Sequence, residues 1–99
     1  MKVQKNENII VQRNSNGDII FYDPESGNIH ITNEIGYLIF TLCEHYTIKD
    51  IAMHIHILTG HENVQRIMED INTFIRDLIS KGYLLKVEDS EWKVWTKKI

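Results

Sequence analysis

The chain has one cysteine, one proline and five glycines in 99 residues. A lone cysteine excludes an internal disulfide and any zinc site built from cysteine pairs. The glycines are scattered at turn and cap positions, so no phosphate-cradling loop is present. No stretch of about 18 apolar residues occurs, so no membrane-spanning helix is expected. The first ten residues carry Lys2, Lys5 and Glu7 but no apolar core. No secretory signal is therefore expected, and the cytoplasm is the expected compartment. Positive charge is also scarce, with 11 Lys and Arg against 14 Asp and Glu and a net charge of −3. Sequence-independent binding to nucleic acid needs clustered cations to displace counterions, which this balance disfavours. What is there is an ordinary globular mix, 42% apolar and 25% charged. That length predicts one domain over residues 1–99, with one core and no deep catalytic cleft.

The first third reads as strands. Ile9-Ile10-Val11 precedes Asn16-Gly17, a strong hairpin signal because both residues tolerate positive φ. Ile19-Ile20-Phe21-Tyr22 is β-branched and aromatic. Asp23-Pro24-Glu25-Ser26-Gly27 reads as a turn and Asn28-Ile29-His30-Ile31-Thr32 as a half-buried third strand. A two-residue turn at Asn16-Gly17 predicts Val11 opposite Tyr22 and Arg13 opposite Ile20. A four-residue turn from Pro24 to Gly27 predicts Tyr22 opposite Ile29 and Ile20 opposite Ile31. Opposed residues share a face. One face then gathers Ile9, Val11, Ile20, Tyr22, Ile29 and Ile31, and His30 falls on the other as a surface or boundary residue.

Helices follow. Asn33 is a natural N-cap, with Ile35, Leu38, Ile39 and Leu42 at helical spacing and Cys43 beside them as a small core residue. Gly36 sits in the first turn, where close packing would explain it. Thr47 caps a second helix carrying Ile48, Ile51, Ala52, Ile55 and Leu58, which Gly60 ends. Glu62 or Asn63 opens a third, with Val64, Ile67, Met68, Ile71, Phe74, Ile75, Leu78 and Ile79 as its apolar stripe. Lys81 and Gly82 close it. Tyr83 to Val87 reads as extended; Glu91 to Trp95 either forms a hairpin with it or belongs to an amphipathic tail that docks by Trp92 and Trp95. The expected class is therefore α+β, a winged helix-turn-helix-like arrangement of a three-stranded antiparallel meander, three helices and a possible C-terminal hairpin.

Catalytic chemistry finds no footing. His54 and His56 stand two apart, whereas chelation from a helix needs three or four. No nucleophile has a His/Asp arrangement around it, so no enzyme activity, metal or cofactor is expected. The winged-helix outline raises DNA reading as an alternative. The third helix would then present Arg66, Arg76 and Lys81 against Glu62, Glu69, Asp70 and Asp77, which is not a phosphate-facing surface. The remaining feature is the outer edge of the third strand, which has no Lys, Pro or acid between Asn28 and Thr32. Such an edge is either covered or open to an added peptide strand, or to a second copy of the chain as an edge-paired or swapped dimer. A proline at His30 is expected to block strand addition there.

Residues Asp23 to Glu34, with Gly36 and Ile39, resemble the strand-turn-strand-Asn signature of the pyrroloquinoline quinone synthesis protein D family. Thr47-Ile48-x-x-Ile51 and Asp70-Ile71-x-x-Phe74-Ile75-x-x-Leu78-x-x-x-Gly82-Tyr83-Leu84 continue the likeness, which runs from about Asp18 to Lys86. Thr32 and Tyr46 depart from it, standing where the family often has Leu and Gly. The resemblance implies a stand-alone recognition element, non-catalytic, that binds the leader of a ribosomally made precursor peptide. It also implies delivery of that leader to a modifying enzyme of the same pathway, such as a leader peptidase, a cyclase or a radical SAM enzyme. Lasso-peptide and quinone-cofactor pathways are the two named variants. In the family the leader adds antiparallel to the third strand, in the groove against the third helix. Carried onto this chain, that implies Asn28, Ile29, His30, Ile31 and Thr32 on the strand. On the helix it implies Ile67, Met68, Ile71 and Phe74, with Arg66 as a candidate partner for an acidic leader residue. Ile67 and Phe74 lie on one margin of the stripe and Met68 on the other, and the sequence leaves open which margin faces the strand.

Overall fold

The computed structural model describes residues 2–60 and 63–87. In chain order the elements are β1 (Lys2–Lys5), β2 (Ile10–Arg13), β3 (Ile19–Tyr22), β4 (Ile29–Thr32), α1 (Glu34–Leu42), α2 (Ile48–Thr59), α3 (Val64–Ser80) and β5 (Leu84–Val87). Strands β2, β3 and β4 form the expected antiparallel meander with β3 in the middle. A two-stranded ribbon pairs β1 with β5. The expected extended segment after Gly82 is thus present, but its partner is the N-terminus. The second arm expected for a C-terminal hairpin, residues 91–95, lies outside the described residues.

The second hairpin has the expected register, with Tyr22 opposite Ile29 and Ile20 opposite Ile31. The first is shifted by one residue: Arg13 faces Ile19, Val11 faces Phe21 and Ile10 faces Tyr22. The cause is the turn. Asn14 donates its N–H to the Asp18 carbonyl, and Gly17 donates back to the Asn14 carbonyl. Three residues, Ser15 to Gly17, therefore form the loop, with Gly17 at φ +93°. A three-residue loop ending in left-handed glycine shifts the register of its incoming strand relative to a two-residue turn.

The shift has a companion. Ile20, Tyr22, Ile29 and Ile31 do share a face, but it is the outward one: Ile29 and Ile31 are each 62% exposed. Ile10 joins that face in place of Ile9 and Val11. The core-facing side carries Ile19 and Phe21, both fully buried. His30 and Thr32, read as the polar side of their strand, turn inward with them. Strand β3 is apolar on both faces, so alternation there does not choose between them.

The helices bury a single core beneath β3. Ile39, Phe40, Ile51, Ala52, Ile55, Ile67, Ile71, Ile75 and Leu78 meet Phe21, Tyr83 and Leu84. Capping matches the local sequence. Asn33, Thr47 and Asn63 accept backbone N–H groups from Gly36, Asp50 and Arg66 at 2.9, 3.1 and 3.0 Å. At the end of α3, Gly82 adopts φ +83°, and Tyr83 donates its N–H to the Leu78 carbonyl at 2.9 Å. This glycine stop turns the chain sharply and drops Tyr83 under the sheet.

Cys43 is buried as expected. Burial pushes its thiol up to about 11. A neutral alkylating reagent at pH 8 should therefore modify Cys43 in the folded protein roughly 100-fold more slowly than in denatured chain, on thiolate fraction alone. Mass-resolved alkylation with and without urea measures this.

Candidate functional site

Among the described residues, strand β4 has one paired edge and one unpaired edge. The Asp23 N–H donates to the Asn28 carbonyl at 3.0 Å. Hydrogen-bonded and non-bonded pairs alternate along an antiparallel ladder. From that anchor, His30 bonds with Phe21 and Thr32 with Ile19, whereas Ile29 and Ile31 occupy the non-bonded positions. The backbone N–H and C=O groups of Ile29 and Ile31 therefore point away from β3. Among the described residues no strand pairs with that side. This corrects the expectation attached to His30: a proline there would break the β3–β4 ladder, not the open edge.

Helix α3 runs alongside in the opposite direction. The His30 ring lies 6.1 Å from the Phe74 ring, measured between centroids, and the His30 Nδ1 lies 3.2 Å from the Lys81 Nζ. The α3 line facing β4 is Asp70, Phe74, Asp77 and Lys81, at the four-three-four spacing of one helical face. This settles the margin: Ile67 and Phe74 lie toward the strand, and Met68 does not. Met68 lines a separate depression with Ile48, Gln65, Glu69 and Asn72.

At the Thr32 end the groove opens into a cavity of about 430 Å³. Ile67 and Ile71 form its floor with Ile39 and Ile55, and Phe74 and Thr32 stand at its mouth beside Asp70. Ile71 is thus both core and cavity wall. Arg66 does not enter this cavity; its side chain is 66% exposed and pairs with Asp70 at 3.3 Å. An ion pair that open to water contributes a few tenths of a kcal/mol at most. Asp70, Asp77, Lys81, Ile39 and Ile55 were missed from sequence. The helical spacing of 70, 74, 77 and 81 was the available signal for the first three.

Gly36 explains how α1 and β4 come so close. A Cβ built there would overlap the Thr32 hydroxyl and approach the Phe74 ring to 3.2 Å. Gly36→Ala should therefore push apart the mouth of the cavity. Overpacking of about 1–3 kcal/mol outweighs the gain of about 1 kcal/mol in helix propensity. The expected result is a lower melting temperature by several degrees, read by differential scanning calorimetry.

His30 is held below the usual imidazole range, first by burial and second by the Lys81 charge, with Asp77 opposing. Phe21, Phe74 and Tyr83 surround its ring. No cluster of three or more metal-ligating side chains occurs among the described residues. No helix among them is long and apolar enough to cross a membrane.

An unpaired strand edge beside an apolar groove has the geometry to accept an added strand. The family model for coenzyme PQQ synthesis protein D matches residues 18–84, and the chain belongs to that family. Two solved structures share the fold. The first is TbiB1 in complex with the TbiA(beta) leader peptide, with a TM-score of 0.71 and 18% identity over 90% of this chain and all of that one. The second is lasso peptide synthetase B1 complexed with the leader peptide, with a TM-score of 0.73 and 18% identity over 87% of this chain and all of that one. No curated protein sequence matches.

Proposed function

We propose that this chain binds the leader of a ribosomally made precursor peptide by adding it as a fourth strand, antiparallel to β4 and over the groove toward α3. The observation that carries this is the pair of outward-pointing backbone positions, Ile29 and Ile31, beside the apolar cavity under Thr32 and Phe74. Backbone hydrogen bonds would supply affinity, and the groove would read alternate side chains. The family and the two leader complexes that share the fold support the same reading.

The role is non-catalytic delivery in the cytoplasm, to a modifying enzyme such as a leader peptidase, a cyclase or a radical SAM enzyme. The outward sheet face of Ile10, Tyr22, Ile29 and Ile31 adjoins the open edge and is the candidate surface for that enzyme, since apolar side chains exposed together mark interaction sites. In the free chain the same edge offers self-pairing as a competing dimer. The DNA-reading alternative gains nothing from α3, where Arg66 and Lys81 are each paired with an aspartate one turn away.

Titrating a fluorescent leader, taken from the precursor gene beside this one, tests the reading. Saturable binding at micromolar concentration or tighter is the expected result. No binding at high protein concentration would sink it.

A further inference from the structure

His30 sits between Ile29 and Ile31, the two residues whose backbone groups point away from β3. Its side chain lies on the inward face of the sheet. The ring stacks on Phe21, with centroids 5.9 Å apart and an interplanar angle of 23°. The Phe74 and Tyr83 rings flank it at 6.1 and 5.8 Å. Its Nδ1 lies 3.2 Å from the Lys81 Nζ. Phe74 and Lys81 both belong to the α3 side of the groove. This one side chain therefore ties the middle of β4 to the opposite wall of the site.

The tie requires one protonation state. An ammonium group has donors only, so the Lys81 contact needs Nδ1 as its acceptor. The ring is then neutral with its proton on Nε2, a tautomer assigned from that contact. A proton on Nδ1 removes the acceptor and sets two cations 3.2 Å apart. The surrounding carboxylates are already engaged. On α3, Asp77 pairs with Lys81 at 3.0 Å, and Asp70, toward the cavity, pairs with Arg66. After β3, Asp23 accepts from the Glu25 N–H and the Ser26 hydroxyl. Phe21 and Tyr83, the remaining neighbours of the ring, carry no charge near neutral pH.

We propose that His30 is a positioning residue for strand addition: neutral, it holds the β4 edge against α3, and protonated, it releases that edge and weakens the leader. This deepens the strand-addition reading and rests on it. Burial first and the Lys81 charge second hold the ring below the usual imidazole range. The tie is therefore complete above about pH 6.5, the ordinary imidazole value, and is lost as the pH falls through the lowered one. One proton is taken up on release, so affinity falls by at most about tenfold per pH unit. Linkage is reciprocal, so a bound leader must push the titration of His30 to still lower pH.

The test is titration of the fluorescent leader from about pH 8 down to about pH 5, with NMR of the His30 ring over the same range. Wild-type affinity should fall by roughly three- to tenfold per pH unit once His30 begins to protonate. The ring should titrate at lower pH with leader bound than without, a comparison that needs no variant. His30→Gln keeps an acceptor for Lys81 and takes up no proton. Its affinity should hold nearly constant across the range, which also subtracts any titration of the leader and of the other histidines. Lys81→Met removes the opposing cation and should move the midpoint to higher pH, which loss of a merely structural contact does not do. A flat wild-type profile, a fall that His30→Gln shares, or a ring titration unmoved by the leader overturns the proposal and leaves strand addition standing. No leader binding at about pH 8, where His30 is neutral, overturns strand addition itself and the role of His30 with it.

Discussion

Replacing Ile31 with proline should weaken leader binding by roughly 10- to 100-fold and leave the fold in place. The Ile31 N–H faces the open edge, so proline removes a donor that the β3–β4 ladder does not use. Its ring also occupies the space where the incoming strand must approach. The Ile31 side chain is 62% exposed, so the core loses little. One lost backbone hydrogen bond plus the steric block amounts to about 1.4–3 kcal/mol, which sets the expected range. Ile31→Thr keeps the N–H and a β-branched side chain and should bind within about threefold of wild type. His30→Pro, one residue away, should instead unfold the meander, because the His30 N–H belongs to the internal ladder. Circular dichroism and leader titration on the three variants separate these outcomes.

Phe21→Ala should cost about 3–5 kcal/mol of stability, the range for deleting a fully buried ring. Phe21 is wholly buried at the centre of β3 and packs on Phe40 with ring centroids 4.6 Å apart. It also supports His30 and Tyr83. A domain of this size has about 5–15 kcal/mol in total, so this one change removes a large part of it. Ile29→Ala, on the outward face, should cost less than about 1 kcal/mol. Urea-denaturation midpoints measure both. Equal costs at the two positions would mean that the sheet presents its other face to the helices.

That contrast marks where sequence reasoning succeeded and where it failed. The meander, three helices and their caps were legible because each rests on local chemistry, such as Asn33 and Thr47 at helix starts and Gly60 and Gly82 at helix ends. The buried face was not. Ile29 and Ile31 alternate with His30 and Thr32, and the natural inference puts the isoleucines inside. The inward placement of His30 depends on Phe21, Phe74 and Tyr83, which come from three separate stretches of chain. Strand β1 was also missed, because Val3 is its one apolar residue and its pairing partner lies about 80 positions away. At the site, the strand half was legible and the helix half was partly so. Ile67, Ile71 and Phe74 fall on the cavity, whereas Met68 points elsewhere because the rotation of α3 is set by tertiary packing.

The central claim is that Ile29 and Ile31 offer free backbone groups that a leader strand takes up. Residue-resolved amide hydrogen exchange reads this directly. In the free chain the Ile29 and Ile31 amides should exchange quickly, and those of His30 and Thr32 slowly, because only the latter pair bond to β3. A saturating leader should slow Ile29 and Ile31 by at least about tenfold, bringing all four residues to comparable protection. A leader that binds while Ile29 and Ile31 continue to exchange at their free rates would contradict strand addition at β4.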